Sequence, residues 1–242
     1  MHALHAGNDS ARPALYEDTD MTVSMQSCLR ALALVVALVV APAAIAGPPL
    51  LCHPFDTAGA PSLPWGVDGW RDARAGYDLR GLTRDTEALL TARTPVIARM
   101  ETLRRAAIYA GRDPAVAKQL LTRLQARGTL AKTADARALA RFDAGYFAET
   151  LQEVVRLQGY DMPGIGKVDA KGLRALLVNV DGSAEVDAAL AVRPNDAAMR
   201  FAAALIAAAD QRRNDYATHS RVARGGASHD RLLALNLHQI AN

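Results

Sequence analysis

The feature that most constrains this fold is a helix-start signal that recurs through residues 83–242. A capping side chain stands beside a proline at Thr94-Pro95 and at Asp113-Pro114. Proline suits the first turn of a helix because its missing N–H would have no partner there. Thr83 is followed by acidic residues that would lie in the first turn of a helix. Pro194-Asn195 again places a capping side chain beside a proline. These signals predict a series of short helices.

Apolar residues recur between these signals at the spacing of one helix face. Val96, Ile97, Met100 and Leu103 are an example. Alanine and leucine dominate the composition while aromatic residues make up 5%, which favours helices over sheets. We therefore predict an all-α protein, with helices at 83–91, 95–110, 114–127, 133–144, 146–158, 169–179, 183–192, 196–211, 214–223 and 228–240.

A repeat of helical hairpins is indicated by the predicted turns. They fall at comparable intervals along the chain, at Gly111, Gly145, Gly182 and Asn214. One hairpin cannot bury its apolar face alone, so neighbouring hairpins are expected to stack and share a core. The last helix, 228–240, is expected to cap the stack.

Three stretches carry a resemblance to a known family. GYFAE at 145–149 and NDYA at 214–217 have a turn followed by an aromatic residue. ALAVRPNDA at 189–197 has a helix end, a proline stop and a new helix start. Together they resemble tetratricopeptide repeats, irregularly spaced over about residues 95–240. The resemblance implies a right-handed α-solenoid of stacked hairpins that holds a partner on its concave face.

An apolar run, ALALVVALVVAPAAIA at 31–46, follows Arg30 directly. Its length, its basic flank and its Ala44-Ile45-Ala46 end are typical of a secretory signal peptide, which predicts cleavage before Gly47. Residues 21–46 are thus the predicted signal peptide, and the polar leader 1–20 is read as an upstream extension of a start at Met21 or Met25. We expect an exported protein, periplasmic or secreted. The alternative is a membrane anchor formed by residues 31–46.

Residues 47–82 are rich in proline and glycine and are predicted to form an extended arm before the helical repeat domain, 83–242. Both tryptophans of the chain, Trp65 and Trp70, lie in this arm. Burial of these rings would offset the conformational entropy lost when the arm becomes ordered, so docking on the helices is expected. Trp65, Asp68 and Trp70 also allow an alternative role, in which the aromatic rings bind a glycan or another small molecule.

Cys52-His53 is the most reactive-looking dipeptide in the predicted mature chain. Adjacent side chains in an extended segment point to opposite sides, and no CxxC or HxxxH pattern supplies further ligands. We predict that Cys52 is a small buried hydrophobe between Leu51 and Phe55. An exposed or intermolecular thiol, or a metal or thiol site where the arm meets the helices, remain the alternatives.

Two charged stretches are further candidates for a binding site. Glu149 and Glu153 lie on one helix face and are expected to be solvated. The loop at 159–172 lacks the spacing of a phosphate-binding loop and is longer than the other predicted turns, so it is expected to offer a contact surface.

The function predicted from these features is non-enzymatic binding of a protein or peptide partner on the concave face. The chain contains no GxSxG or HExxH motif, no cofactor is predicted, and the predicted export argues against a nucleic-acid partner. The candidate partner-binding residues are Trp65, Asp68, Trp70, Arg104, Arg105 and Lys167.

Overall fold

The predicted all-α class is confirmed by a computed structural model, which describes residues 49–66, 72–157 and 167–240. These residues contain no β-strand, and their one antiparallel bridge joins Trp65 to Ala73. The nine α-helices among them are α1 Leu82–Leu89, α2 Val96–Ala110, α3 Pro114–Leu130, α4 Ala134–Arg156, α5 Ala170–Leu177, α6 Gly182–Val192, α7 Ala197–Ala209, α8 Arg213–Gly226 and α9 Arg231–Asn236.

Several predictions fall outside the described residues. They are the leader at 1–20, the signal peptide at 21–46 with its alternative as an anchor, the side chains Asp68 and Trp70, and most of the loop at 159–172. All the described residues belong to one unit, Ile45–Asn242. Within them, no helix combines the length and the apolar character that crossing a membrane requires.

Aspartate and threonine side chains begin most of the helices, as local capping chemistry predicts. Asp113 accepts hydrogen bonds from the Ala115 and Val116 amides at the start of α3, where Pro114 is the first helical residue. Three predicted caps are wrong. Thr94 does not cap α2, whose N-cap is Pro95 and has no side-chain hydrogen bond. Thr83 lies inside α1, whose N-cap is Gly81, and α7 is capped by Asp196 rather than by the neighbouring Asn195.

The predicted turn at Gly145 is also wrong, because α4 runs through it without interruption from Ala134 to Arg156. Gly145 instead permits a close helix contact. A Cβ placed on it would lie 2.5 Å from the carbonyl oxygen of Gly182, and a Cβ on Gly182 would lie 2.5 Å from the carbonyl oxygen of Gly145. Asn214 likewise lies within α8, and the preceding turn is made at Gln211, whose φ is 59°.

The core is organised around α4, which packs against α2, α3, α5, α6 and α7. Its apolar side is marked by the buried aromatic residues Phe142, Tyr146 and Phe147. Helices α7 and α8 pack extensively against each other, with the alanines at 202–204 fully or almost fully buried in α7. Small side chains allow this approach because the helix axes can come together without clashes.

The described residues at 49–66, here called the Pro/Gly-rich segment, contain no helix and pack on the helical core. Leu50, Leu51, Phe55 and Leu63 are each at most 4% exposed. The last predicted helix, 228–240, is shorter than expected, because α9 is flanked by 3-10 turns at Ala227–His229 and Leu237–Ile240.

Candidate functional site

A buried ion pair on α2 binds the main chain of the Pro/Gly-rich segment. The Glu101 and Arg104 side chains are 0% exposed, and the Arg104 guanidinium donates to both carboxylate oxygens of Glu101, at 2.7 and 2.8 Å. Glu101 also accepts the Phe55 amide at 3.0 Å, and Arg104 donates to the Leu51 carbonyl at 3.0 Å. Because each charge has a partner of opposite sign, the pair can be buried and still form hydrogen bonds with main-chain groups of the segment.

This pairing sets the ionisation of Glu101. Burial alone would raise the pKa of its carboxyl, but the guanidinium of Arg104, with Arg105 beside it, holds that pKa below its ordinary value. Arg105 contacts the carboxylate at 2.6 Å and also donates to the Leu63 carbonyl. Glu101 is therefore ionised in the folded protein at neutral pH.

A second carboxyl, Glu153 of α4, accepts the Leu50 amide at 2.8 Å through Oε2. It is 2% exposed, and its Oε1 is buried with no hydrogen-bond partner among the described residues. Burial raises the pKa of Glu153 to about 8, against the opposing effect of Arg156. A protonated carboxyl is the expected form at neutral pH, in contrast with Glu101.

The C-terminal end of the chain completes the contacts with the segment. The Asn236 side chain accepts the Asp56 amide at 2.9 Å and donates to the Asp56 carbonyl at 2.9 Å, while Gln239 donates to the Pro54 carbonyl at 3.2 Å. These contacts join residues about 180 positions apart in the chain. The segment is thus held through its main chain by side chains of α2, α4 and the C-terminal residues.

The helices bury Glu149 and Glu153, so the prediction of a solvated carboxylate pair is wrong. Glu149 is 3% exposed and accepts the Ser183 amide at 2.8 Å, at the start of α6. Burial raises its pKa to about 7, with Asp210 adding to the shift. The spacing of the two residues is typical of a surface face, but α4 is enclosed by other helices at this point.

A further buried charge cluster carried no signal in the sequence. Asp143 of α4 pairs with Arg99 at 2.7 Å and with Arg127 at 3.2 Å, and the two guanidiniums also donate to the carbonyls of Thr91 and Leu90. Burial outweighs both guanidiniums and raises the pKa of Asp143. The cluster holds the α1–α2 connection against α3 and α4. Its members lie far apart in the sequence, so no local pattern predicts that they meet.

Cys52 and His53 are both half-buried, so Cys52 is more accessible than the predicted buried hydrophobe, although Leu51 and Phe55 are buried. Among the described residues, no three His, Cys, Asp or Glu side chains lie close enough to hold a metal ion.

Trp65 is half-buried and packs within the chain. Its ring meets Tyr109 edge to face at a centroid separation of 5.5 Å. The guanidinium carbons of Arg104 and Arg105 lie 5.1 and 5.6 Å from its ring centroid, so cations of the chain itself contact this indole. The other two members of the glycan-binding alternative, Asp68 and Trp70, lie outside the described residues.

The basic candidates differ in access. Arg104 is buried, so the expectation that it contacts a partner at the surface is wrong, because its guanidinium is occupied by Glu101 and Leu51. Arg105 is 21% exposed and bonded to Glu101, and Lys167 is exposed ahead of α5. The structure does not bring Lys167 together with the two arginines in any described contact.

An open cleft of about 420 Å³ lies between α3, α4 and α6. Its floor consists of small residues, Gly128, Ala140 and Ala144, while Arg137 and Arg141 lie on its rim. The remaining lining residues are Gln125, Thr129 and Glu185. None of these was a candidate in the sequence, although Arg137 and Arg141 stand one helical turn apart.

The cleft rim is exposed and charged. Arg141 pairs with Glu185 at 2.8 Å, and these side chains are 43% and 39% exposed. Arg137 donates to the Ala131 carbonyl at 3.3 Å, and in the part of the chain that the structure describes no carboxylate forms an ion pair with it. Its guanidinium therefore retains hydrogen-bond donors that a bound molecule can use.

No protein-family model matches the chain, and no curated protein or solved structure gives a significant match. The tetratricopeptide resemblance thus stays a prediction.

Proposed function

We propose that this chain is an exported, non-enzymatic helical-repeat protein that binds a protein or peptide partner on the concave side of a right-handed stack of helix pairs. The observation that carries the proposal is the open cleft between α3, α4 and α6, with its floor of small residues and its polar rim. Export rests on the apolar run at 31–46 and its small-residue end.

The lining of the cleft suits polypeptide better than a small apolar ligand. Gly128, Ala140 and Ala144 leave room for a main chain to approach the helices, and Gln125 and Thr129 can pair with peptide groups. Arg137 and Arg141 add charged donors at the rim, where solvent competes less well once a partner covers them.

The Pro/Gly-rich segment supports the proposal of a peptide partner, because it is itself a polypeptide stretch bound by the helices. The helices already hold this non-helical stretch through side-chain contacts to its main chain, from Glu101, Arg104 and Asn236. A helical surface that binds main-chain groups in this way is compatible with a peptide partner. The carboxyls with raised pKa values, Glu149 and Glu153, do not line the open cleft, which favours binding over acid–base chemistry there.

The test is site-specific photo-crosslinking of the full chain in the cells that produce it. A photoreactive residue replaces Thr129 on the cleft rim or, as a control, the exposed Gln119 on the same helix. We expect a discrete crosslinked partner from position 129 and none from position 119. No adduct at either position, or the same adducts at both, would contradict the proposal.

Substitutions then test whether the cleft itself makes the contact. Arg137→Ala with Arg141→Ala is expected to lower the crosslinking yield from position 129 several-fold. The matched control is Arg123→Ala, because Arg123 is a 59% exposed arginine of α3 that pairs with Glu87 away from the cleft. An equal loss in the control would show that the effect is general.

A further inference from the structure

Two of the buried carboxyls described above differ from the other two in their surroundings. Glu101 and Asp143 are each paired with two arginines. Glu149 and Glu153 are also nearly inaccessible, at 3% and 2% exposure, but in the part of the chain that the structure describes neither forms an ion pair with a cation. Burial without a counter-charge favours the protonated form of a carboxyl.

The groups that face these two carboxyls do not supply that counter-charge. Arg156, on the same helix, is directed to Asp210 at 2.9 Å, which partly cancels its charge. Asp210 at the end of α7 and Asp181 before α6 act on Glu149 with the same sign as its own carboxylate.

The surroundings of Glu153 lead to the same conclusion. The Tyr146 hydroxyl on α4 is buried with no hydrogen-bond partner among the described residues, and Arg104 on α2 is committed to Glu101 and to the Leu51 carbonyl. The Leu50 and Leu51 amides favour the ionised form of Glu153, but burial outweighs them, and its Oε1 has no hydrogen-bond partner among the described residues.

Each of the two carboxyls fastens a different part of the chain to α4. Glu153 accepts the Leu50 amide, where the Pro/Gly-rich segment begins in the described structure. Glu149, one helical turn earlier, accepts the Ser183 amide at the start of α6, beside the close contact of Gly145 with Gly182. A single face of α4 thus holds two attachments that depend on the same chemical group.

We propose that Glu149 and Glu153 form a protonation-sensitive clasp: as protonated acids they hold the start of the Pro/Gly-rich segment and the start of α6 on α4, and their ionisation loosens both attachments. The raised pKa values of the two carboxyls, about 7 and about 8, place the change between neutral and mildly alkaline conditions. Ionisation introduces two like charges, one turn apart, into a region with no free cation among the described residues, so water must enter to solvate them.

The test is hydrogen–deuterium exchange of the full mature chain at pH 6 and pH 8.5, corrected for the intrinsic exchange rates. We expect the protection of the Leu50 and Ser183 amides to fall about tenfold at the higher pH, while amides inside α8 keep theirs. Unchanged protection at both sites would overturn the proposal. An equal loss throughout all helices would also overturn it, because that result would indicate global unfolding.

Variants separate the clasp from ordinary packing. Glu149→Gln and Glu153→Gln keep an oxygen acceptor but cannot ionise, so protection at both sites should become independent of pH. The matched control is Glu101→Gln, a buried carboxylate whose charge is balanced by Arg104. This control should weaken protection of the Phe55 amide at both pH values and leave the pH response at Leu50 and Ser183 intact. If the glutamine variants retain the wild-type pH response, the clasp is not the cause.

Discussion

The Arg104 guanidinium meets the Glu101 carboxylate with two parallel hydrogen bonds, one helical turn apart on α2, and neither side chain reaches solvent. The same pair accepts the Phe55 amide and donates to the Leu51 carbonyl. A buried pair adds little net stability against an apolar replacement of both partners, but the loss of one partner leaves the other charge buried and unbalanced. Correct docking of the Pro/Gly-rich segment is therefore tied to this pair.

Replacing Glu101 by alanine should lower the free energy of unfolding by about 3–5 kcal/mol, because Arg104 would remain buried without its carboxylate. The measurement is urea denaturation followed by circular dichroism. Arg80→Ala is the control, since Arg80 pairs with Asp78 at the surface with a side chain that is 91% exposed. Such an exposed pair is screened by solvent and is expected to contribute little to stability. Similar losses in both variants would contradict the role of burial.

The free energy of unfolding should fall both at acidic pH, through Glu101, and as the pH rises towards 8, through Glu149 and Glu153. The pKa of Glu101 is lowered by Arg104, so its contribution is present above the ordinary carboxyl pKa and is lost as the pH falls through the lower folded value. The pKa values of Glu149 and Glu153 are raised to about 7 and about 8, so their contribution is present below the ordinary carboxyl pKa and is lost as the pH rises through those values.

The check is the urea midpoint of the wild-type chain and of Glu149→Gln with Glu153→Gln between pH 5 and pH 9. The wild-type midpoint should decline from pH 5 to about pH 8, between the ordinary and the raised pKa values, and level off above it; the decline should be largely absent in the double variant. A wild-type midpoint that rises from pH 6 to pH 8.5 would have the wrong sign for buried carboxyls.

The close contact of α4 with α6 predicts a strong response at Gly145. Gly145→Ala places a Cβ 2.5 Å from the Gly182 carbonyl oxygen, so the helices must separate, at a cost of about 1–3 kcal/mol. Gly225→Ala is the matched control, because Gly225 lies within α8 and no atom lies within 4 Å of an added Cβ. Alanine there should stabilise the protein by up to ~1 kcal/mol through helix propensity. Thermal denaturation of both variants distinguishes the two effects.

The apolar run at 31–46 predicts a mature chain that begins at Gly47. Intact mass and N-terminal sequencing of the protein recovered outside the cytoplasm are the measurements. Ala46→Leu should slow or displace cleavage, because a bulky residue replaces the small one next to the cleavage site. Recovery of an uncleaved chain from the membrane fraction would favour the anchor alternative.

Local chemistry predicted much of the helical structure. Asp113-Pro114 begins α3, and α2 ends at Ala110, directly before the predicted turn at Gly111, because caps and proline act within one helical turn and need no distant partner. Gly145 shows the limit of such reasoning. Glycine is typical of turns, but its lack of a side chain serves equally well where two helices cross, and only the position of α6 distinguishes these uses.

The candidate sites likewise show what the sequence can predict and what only tertiary packing decides. The sequence by itself determined the all-α class, boundaries such as the start of α3 and the end of α2, and apolar residues of the core, since these follow from spacing and capping. The tertiary structure decided that Arg104 is buried, that Glu149 and Glu153 are enclosed rather than solvated, and that Arg137 and Arg141 border an open cleft. The physical reason is that burial, and with it the charge state and availability of a side chain, depends on which distant helices pack around it.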